Sequence, residues 1–311
     1  MLKFVFTDIE DNAVVFGDVL NLSVRMEEDV PADDMTAIFP YRNIDELKTV
    51  TVYDAEDVIF RGVVDEQHSI FSQAGRYLRV VVRSMAAYLL DNESVPVTYS
   101  HPTAGLMYEK HAAGYGLALS DDTDAMYFGE LVVTKGMSEW QVLSAFASMC
   151  YAARPRVSSD GVLCLKGLSG GGEVTFSDEG DGIPYTELHE SVRRCHEISR
   201  VNVKVINASG YQSHVDNNDA LQRGVRCERY LNAVLTETPM TLADTMIENG
   251  RHNAYVMQLT LPGRWLGLLG AAAAVRNRTL CERDGLYVCA VRYTLGASGD
   301  MTTVELRRRD G

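Results

Sequence analysis

The chain has 311 residues, 46% of them hydrophobic, with 43 acidic side chains against 29 basic ones and a net charge of −14. That length suits two or three domains, and the acidic excess repels a phosphate backbone, which excludes stable nucleic-acid binding. Lys3, Asp8, Glu10 and Asp11 interrupt the opening residues, and no apolar run approaches the ~20 residues of a membrane span. Neither a signal peptide nor membrane binding is expected, and the chain is expected to start soluble in a cytoplasm.

In chain order, Phe4 and Phe6, then Val14 to Phe16, then Leu20, Leu22 and Val24 predict three short strands parted by Asp-Asn and Gly-Asp turns. Glu27 to Asp34 reads as a solvated charged loop. Alternation is clearest from 47 to 99: Val50 and Val52, then Val58, Phe60 and Val63, then, after a turn at Gly75, Leu78, Val80 and Val82, with Arg79 and Arg83 on the opposite phase. Period two over successive short runs describes antiparallel strands with one buried and one wet face, the pattern of a small barrel.

Pro102 is placed in the first turn of a helix ending near Tyr115, with Gly114 or Gly116 as its stop. Ser138 and Gln141 form a capping box for a second helix, and Trp140, at helical spacing with Leu143 and Ala147, belongs to its core face rather than to a ligand site. Arg156-Val157 and Val162 to Leu165 flank a turn ending at Gly161 and predict a hairpin. The run Gly170 to Gly172 lacks the Lys-Ser or Lys-Thr of a phosphate loop and precedes a strand, Glu173 to Phe176, so it is a turn or linker.

Strands resume from Ile183 to about Ile206, where Val201, Val203 and Val205 alternate. Thr241 with Asp244 predicts a cap and Gly250 the end of a short helix. Beyond it Tyr255, Met257, Leu259 and Leu261 alternate, Ala271 to Ala274 fit strand or helix, and a closing hairpin runs from Leu286 to Leu306 with Gly299 at its turn. That hairpin has the order of strand, polar turn, glycine and strand found from Phe60 to Val82, a hint of an internal repeat.

Several of these strings occur together: Gly62-Val-Val-Asp65-Glu66, a turn at Gly75, the run from Arg79 to Ser84 that includes Arg83, then Leu89-Leu90-Asp91-Asn92-Glu93, and Pro96 followed three positions on by Tyr99. This constellation resembles the baseplate hub proteins of contractile phage tails, in particular those of prophages and phage-tail-like bacteriocins of Gram-positive bacteria, relatives of the late-control D family. The likeness is densest from about Val50 to Leu117, and the phrase from Tyr108 to Gly116 resembles the helix that opens the family's inserted domain.

The resemblance implies a mainly β chain with two small antiparallel β-barrels and an inserted α+β domain, divided as 1–97, 98–182 and 183–311. It implies a structural protein whose three copies form a ring between a hexameric tail tube and a trimeric spike. The partners so implied are the chain itself, the tail tube protein, the central spike and other baseplate proteins, with DNA only as transient cargo. The location implied is a virion or tail-like particle assembled in the bacterial host's cytoplasm. Alternatives are a tail-associated peptidoglycan hydrolase and a tail-tip protein of a non-contractile tail that binds a receptor or glycan.

Catalytic signals are weak. His189-Glu190 and His196-Glu197 are seven apart, not at the spacing that puts two ligands on one helix face. Asp121, Asp122 and Asp124 lack the glycine and glutamate of a calcium loop and read as a solvated turn. Glu109 and Glu130 are the kind of pair a glycosidase uses, but 43 acids supply many such pairs. His111 reads as a helix-surface or packed residue. The six cysteines, Cys150, Cys164, Cys195, Cys227, Cys281 and Cys289, contain no CxxC and are expected to be free thiols, mostly buried. No catalytic residue, metal or cofactor is expected.

Overall fold

Alternating burial builds the first seven strands: β1 (Leu2–Asp8), β2 (Ala13–Phe16), β3 (Asn21–Glu27), β4 (Asp34–Pro40), β5 (Leu47–Asp54), β6 (Asp57–Ser72) and β7 (Gly75–Ser84). They pair in the order β2-β1-β5-β6-β7-β4-β3, with antiparallel registers throughout. Phe4, Phe6, Phe16, Phe39, Phe60, Leu78, Val80 and Val82 fill the inside. The Phe4 and Phe39 rings meet edge to face at 5.0 Å and those of Phe6 and Phe16 at 5.7 Å, so each ring contributes packing beyond its roughly 1.5–3 kcal/mol of burial. The computed structural model describes residues 2–168, 171–178, 180–205, 208–232, 239–279, 281–297 and 299–309. Gly170 and Ile206, named above, lie outside them.

Helices enter after β7: α1 (Ala87–Asp91), β8 (Val97–Ser100), α2 (Ala104–His111), β9 (Ala118–Leu119), β10 (Glu130–Val133), α3 (Glu139–Tyr151), β11 (Arg156–Val157) and β12 (Val162–Cys164). Their own core gathers Leu89, Met107, Leu131, Leu143, Phe146 and Leu163, and Trp140 packs against it as expected. Thr103 caps α2 by accepting from the Leu106 N–H at 3.2 Å, so Pro102 stands before the cap and not in the first turn. The segment ends on Gly116, in left-handed backbone at φ +75°. The capping box of α3 is complete: Ser138 accepts from the Gln141 N–H, and the Gln141 side chain accepts from the Ser138 N–H.

The remaining elements are β13 (Glu173–Ser177), β14 (Glu187–Val192), β15 (Arg200–Lys204), β16 (Ser213–Asp216), α4 (Asn218–Gln222), β17 (Glu228–Asn232), α5 (Pro239–Ala254), β18 (Tyr255–Pro262), β19 (Ala272–Asn277), β20 (Cys281–Gly296) and β21 (Gly299–Arg308). Compactness divides the chain into one unit of residues 1–173, 261–271 and 289–303 and a second of 174–260, 272–288 and 304–311. In the second, β16, β15 and β17 form a small sheet, and Val201 and Val203 of β15 pack against Ala243 and Ile247 of α5.

Two expectations need correction here. α5 begins at Pro239, so Thr241 lies inside the first turn and is not the cap; its carbonyl accepts from Thr245 Oγ1. The helix also runs through Gly250 to Ala254. Gly250 serves close approach instead, since a Cβ there would lie 2.8 Å from the His196 carbonyl oxygen. Ala272 to Asn277 are strand, which resolves the open choice at Ala271 to Ala274.

The whole is mainly β, 49% strand and 19% helix, with two barrels of antiparallel strands; in the small sheets β12 pairs with β9 and β15 with β17 in parallel. One strand path occurs twice: β1-β5-β6-β7-β4-β3 and β13-β19-β20-β21-β18-β14. In chain order the corresponding strands are β1, β3, β4, β5, β6, β7 and β13, β14, β18, β19, β20, β21. β6 and β20 each have 16 residues, and β7 and β21 each have 10. Gly75 and Gly299, both at positive φ, open the second strand of each hairpin. The helical segment β15 to α5 enters the second path between β14 and β18, where the first has only the connection from β3 to β4.

Candidate functional site

Of the residues singled out by sequence, Gly62, Asp65, Arg83 and Asp91 converge where β6 and β7 hand the chain to α1. Arg83, at the end of β7, points its guanidinium at two carboxylates: Nε and Nη2 donate to Asp65 at 2.6 and 3.0 Å, and Nη1 and Nη2 donate to Asp91 at 3.1 and 2.6 Å. Planar two-pronged contacts of this kind are the strong form of an ion pair. The Arg83 hydrogen bonds hold the Asp91 carboxyl below its ordinary value and push Arg83 up. Gly62 lets the two strands close: a Cβ there would lie 2.4 Å from the Arg83 carbonyl oxygen.

Next in the chain, Leu89 is fully buried and Leu90 packs against the helical core. Asn92 ends α1, its N–H and its side-chain amide both donating to the Tyr88 carbonyl at 3.2 and 2.8 Å. Its own carbonyl accepts from the Glu139 N–H at 3.0 Å, Glu93 bridges to Ser138, and Ser94 N–H donates to the Met137 carbonyl. Leu89 to Ser94 thus lies along the start of α3. Gly75 is at the far turn of the hairpin and Pro96 is exposed, so neither joins this cluster. Tyr99 stacks edge to face on His111 at 5.7 Å, and burial raises its hydroxyl pKa.

Two buried clusters escaped the sequence reading. Ser94 and His111 are buried beside Glu139; His111 Nδ1 lies 3.2 Å from Ser94 Oγ and 2.5 Å from Glu139 Oε2, and Ser94 donates to the same carboxylate oxygen. A nucleophile relay needs hydroxyl and carboxylate on opposite ring nitrogens. Here both meet Nδ1, and Nε2 is buried without a partner among the described residues, so the cluster reads as a structural knot. His111 is packed, one of the two expected states.

The other cluster overturns the solvated loop at Glu27 to Asp34. Asp33 is buried, its Oδ1 accepting from Arg156 Nη2 at 2.6 Å while Arg156 Nη1 donates to the Glu27 carbonyl at 2.7 Å. Asp33 N–H also donates to Ser84 Oγ at 3.1 Å. Burial pushes the Asp33 carboxyl up to about 6 against the opposing pull of Arg156. The pair lines a cleft of about 200 Å³ with Ser158, Cys164 and Leu266. No sequence pattern announces it, because its members come from three distant segments.

The weak catalytic candidates disperse. Glu190 accepts from Tyr255 Oη at 2.7 Å and Arg283 Nε at 3.1 Å, which lowers its pKa, while Glu197 is buried on Arg223. His189 lies on β14 and His196 in a short 3₁₀ turn. Asp122 accepts from the Asp124 N–H within its own turn, and Asp121 accepts from the Leu165 N–H. Glu109 pairs with Lys110, and Glu130 is exposed on β10. Of the cysteines, Cys195 is exposed, Cys289 is buried and Cys150, Cys164 and Cys227 are half-buried, so fewer are sealed than expected; the Cys281 side chain lies outside the described residues. Among the described residues no group of three or more His, Cys, Asp or Glu converges on a metal-sized site, and no helix is long and apolar enough to cross a membrane.

No protein-family model matches the sequence, and no curated protein is recognisably similar to it. Solved structures are similar in fold. A tail protein from Neisseria meningitidis MC58 superposes with a TM-score of 0.77 at 13% identity, over 99% of this chain and 96% of its own. The 43 kDa tail protein of prophage MuSo2 from Shewanella oneidensis gives 0.78 at 12% identity, over 98% of both chains. The E. coli c3393 protein, described as a type VI secretion component similar to T4 tail proteins gp27 and gp5, gives 0.54 at 10% identity, over 94% of this chain and 74% of its own. The chain therefore has the fold of phage tail proteins.

Proposed function

We propose that the chain is a structural tail protein, the hub of a baseplate, and that three copies close into a ring matching a hexameric tail tube on one side and a trimeric spike on the other. The observation that carries this reading is the duplicated strand path. Two like barrels in each of three copies provide six similar positions for the tube while the ring keeps true threefold symmetry. The shared fold with tail proteins supports it. The division 1–97, 98–182 and 183–311 belongs to the same reading, with the middle segment facing other baseplate proteins.

The signature residues then act as a joint. Arg83, Asp65 and Asp91 fix the exit of the first barrel, and Leu89 to Ser94 fix the entry to the helical segment. Tail tube, spike and other baseplate proteins are the partners, the particle is a virion or tail-like particle assembled in the bacterial cytoplasm, and DNA passes only as cargo. A net charge of −14 disfavours retention of that cargo. The test is the mass of the purified chain across a concentration series, followed by negative-stain imaging. Three times 34.4 kDa with a central hole is expected; a strict monomer with no ring in any image would sink the reading.

A further inference from the structure

The two corresponding hairpins differ along one edge. β21 lies along one side of β20, and the other side is filled twice, by β19 from Cys281 to Tyr287 and by β3 from Ala290 to Leu295. β7 lies along one side of β6 and β5 fills the other from Asp57 to Val63. Past Val63, no strand among the described residues pairs with β6 on that side. Residues 65–72 are all exposed except half-buried Gln67, and Ile70 and Phe71 leave 38% and 59% of their surface to solvent.

The strand corresponding to β3 is β14, and among the described residues it pairs with β18 alone. Its Val192 is 74% exposed. Among the described residues one chain therefore carries an unpaired edge on β6 and another on β14, and these correspond to the two edges already joined between β20 and β3.

We propose that residues 66–71 of β6 pair antiparallel with β14 of a second copy of the chain, reproducing between copies the pairing that β20 makes with β3. The inference rests on the ring reading and specifies its contact. Unpaired N–H and C=O groups along both edges gain partners, and because the two edges are different surfaces the contact is head to tail, the kind that makes a ring of three when each copy is turned by a third of a circle from the last. Phe71 corresponds to Leu295, which packs against the first barrel's core, so Phe71 acquires an apolar floor on the neighbouring copy. Gln67 and Ser69 stand where β20 has buried Val291 and Tyr293, so the contact leans on backbone pairs and on Phe71.

The register follows from β20 and β3, where Leu295 faces Leu22 and Arg292 faces Arg25. Matching Leu22 to Leu188, the second residue of each strand, sets Phe71 opposite Leu188, His68 opposite Ser191 and Gln67 opposite Val192. Adjacent pairs in an antiparallel ladder alternate between hydrogen-bonded and non-hydrogen-bonded geometry, and the latter, with Cα atoms ~4.5 Å apart, falls within disulfide range.

Two double variants of the full chain, His68→Cys/Ser191→Cys and Gln67→Cys/Val192→Cys, are oxidised and run on a denaturing gel beside the four single variants. Covalent dimers and trimers are expected from at least one double variant and from none of the singles. Phe71→Asp is measured alongside and is expected to raise the concentration needed for half-assembly roughly tenfold or more, with the circular-dichroism spectrum unchanged. If the unmodified chain forms rings, yet neither pair links and Phe71→Asp assembles normally, the pairing is wrong while the ring stands. If the unmodified chain forms no oligomer at any concentration, the ring reading falls and the pairing with it.

Discussion

Arg83 and Arg156 each hold a carboxylate, but with opposite dependence on pH. Asp91 is exposed, and its carboxyl is held below the ordinary 3.8 by hydrogen bonds from Arg83. Its contribution is therefore present above that value and is lost as pH falls through the lowered one. Replacing Arg83 by Met is expected to cost about 1–2 kcal/mol at neutral pH, a partly exposed two-carboxylate network being worth more than one surface pair. The deficit in the urea midpoint shrinks in strong acid, and a cost that stays constant into strong acid would mean that packing, not charge, is lost.

Asp33 behaves the other way. Its folded value of about 6 lies above 3.8 because burial outweighs Arg156. Its contribution is full below 3.8 and is lost as pH rises through about 6. Arg156→Met strands a buried carboxylate, so we expect a loss of about 3–5 kcal/mol at pH 8 that narrows by pH 5 as the carboxyl takes up its proton. Urea melts at the two pH values check this, and an equal loss at both would contradict the burial argument.

At the scale of elements, two substitutions separate local preference from packing. Ser138→Ala removes the cap of α3 and should cost about 1 kcal/mol, as read from thermal or urea unfolding. Gly250→Ala should improve helix propensity by about 1 kcal/mol, yet the new Cβ would meet the His196 carbonyl 2.8 Å away. That contact is backbone and cannot swing aside, so a net loss of roughly 1–3 kcal/mol is expected. A stabilised variant would show that the 3₁₀ turn at Arg194–His196 yields easily. The same position explains a misreading: a glycine late in a helix pattern signals a stop locally, and only the neighbouring chain reveals that it is there for room.

For the whole molecule, copies carrying −14 each repel one another. Raising salt from about 20 to about 200 mM shortens the screening length to well under 10 Å and should lower the concentration at which rings form, as followed by sedimentation. Rings that dissolve over that range would point to complementary charges as the glue between copies.

Much was legible from the sequence alone. Period-two alternation fixed the strands from Val50 to Val82, because one face of each must be dry and one wet. The Ser138 cap, the glycine turns at Gly75, Gly161 and Gly299 and the packed Trp140 were legible for the same reason: each is decided by residues within one turn or one hairpin. The path of the strands, the identity of β6 with β20 in length, the Arg83 clasp in its geometry and the burial of Asp33 were decided only by tertiary structure. Strand order depends on which edges meet, and edges are backbone, identical in every sequence. Asp33 lies in an acidic stretch that looks solvated until Arg156, far along the chain, is brought beside it by the fold.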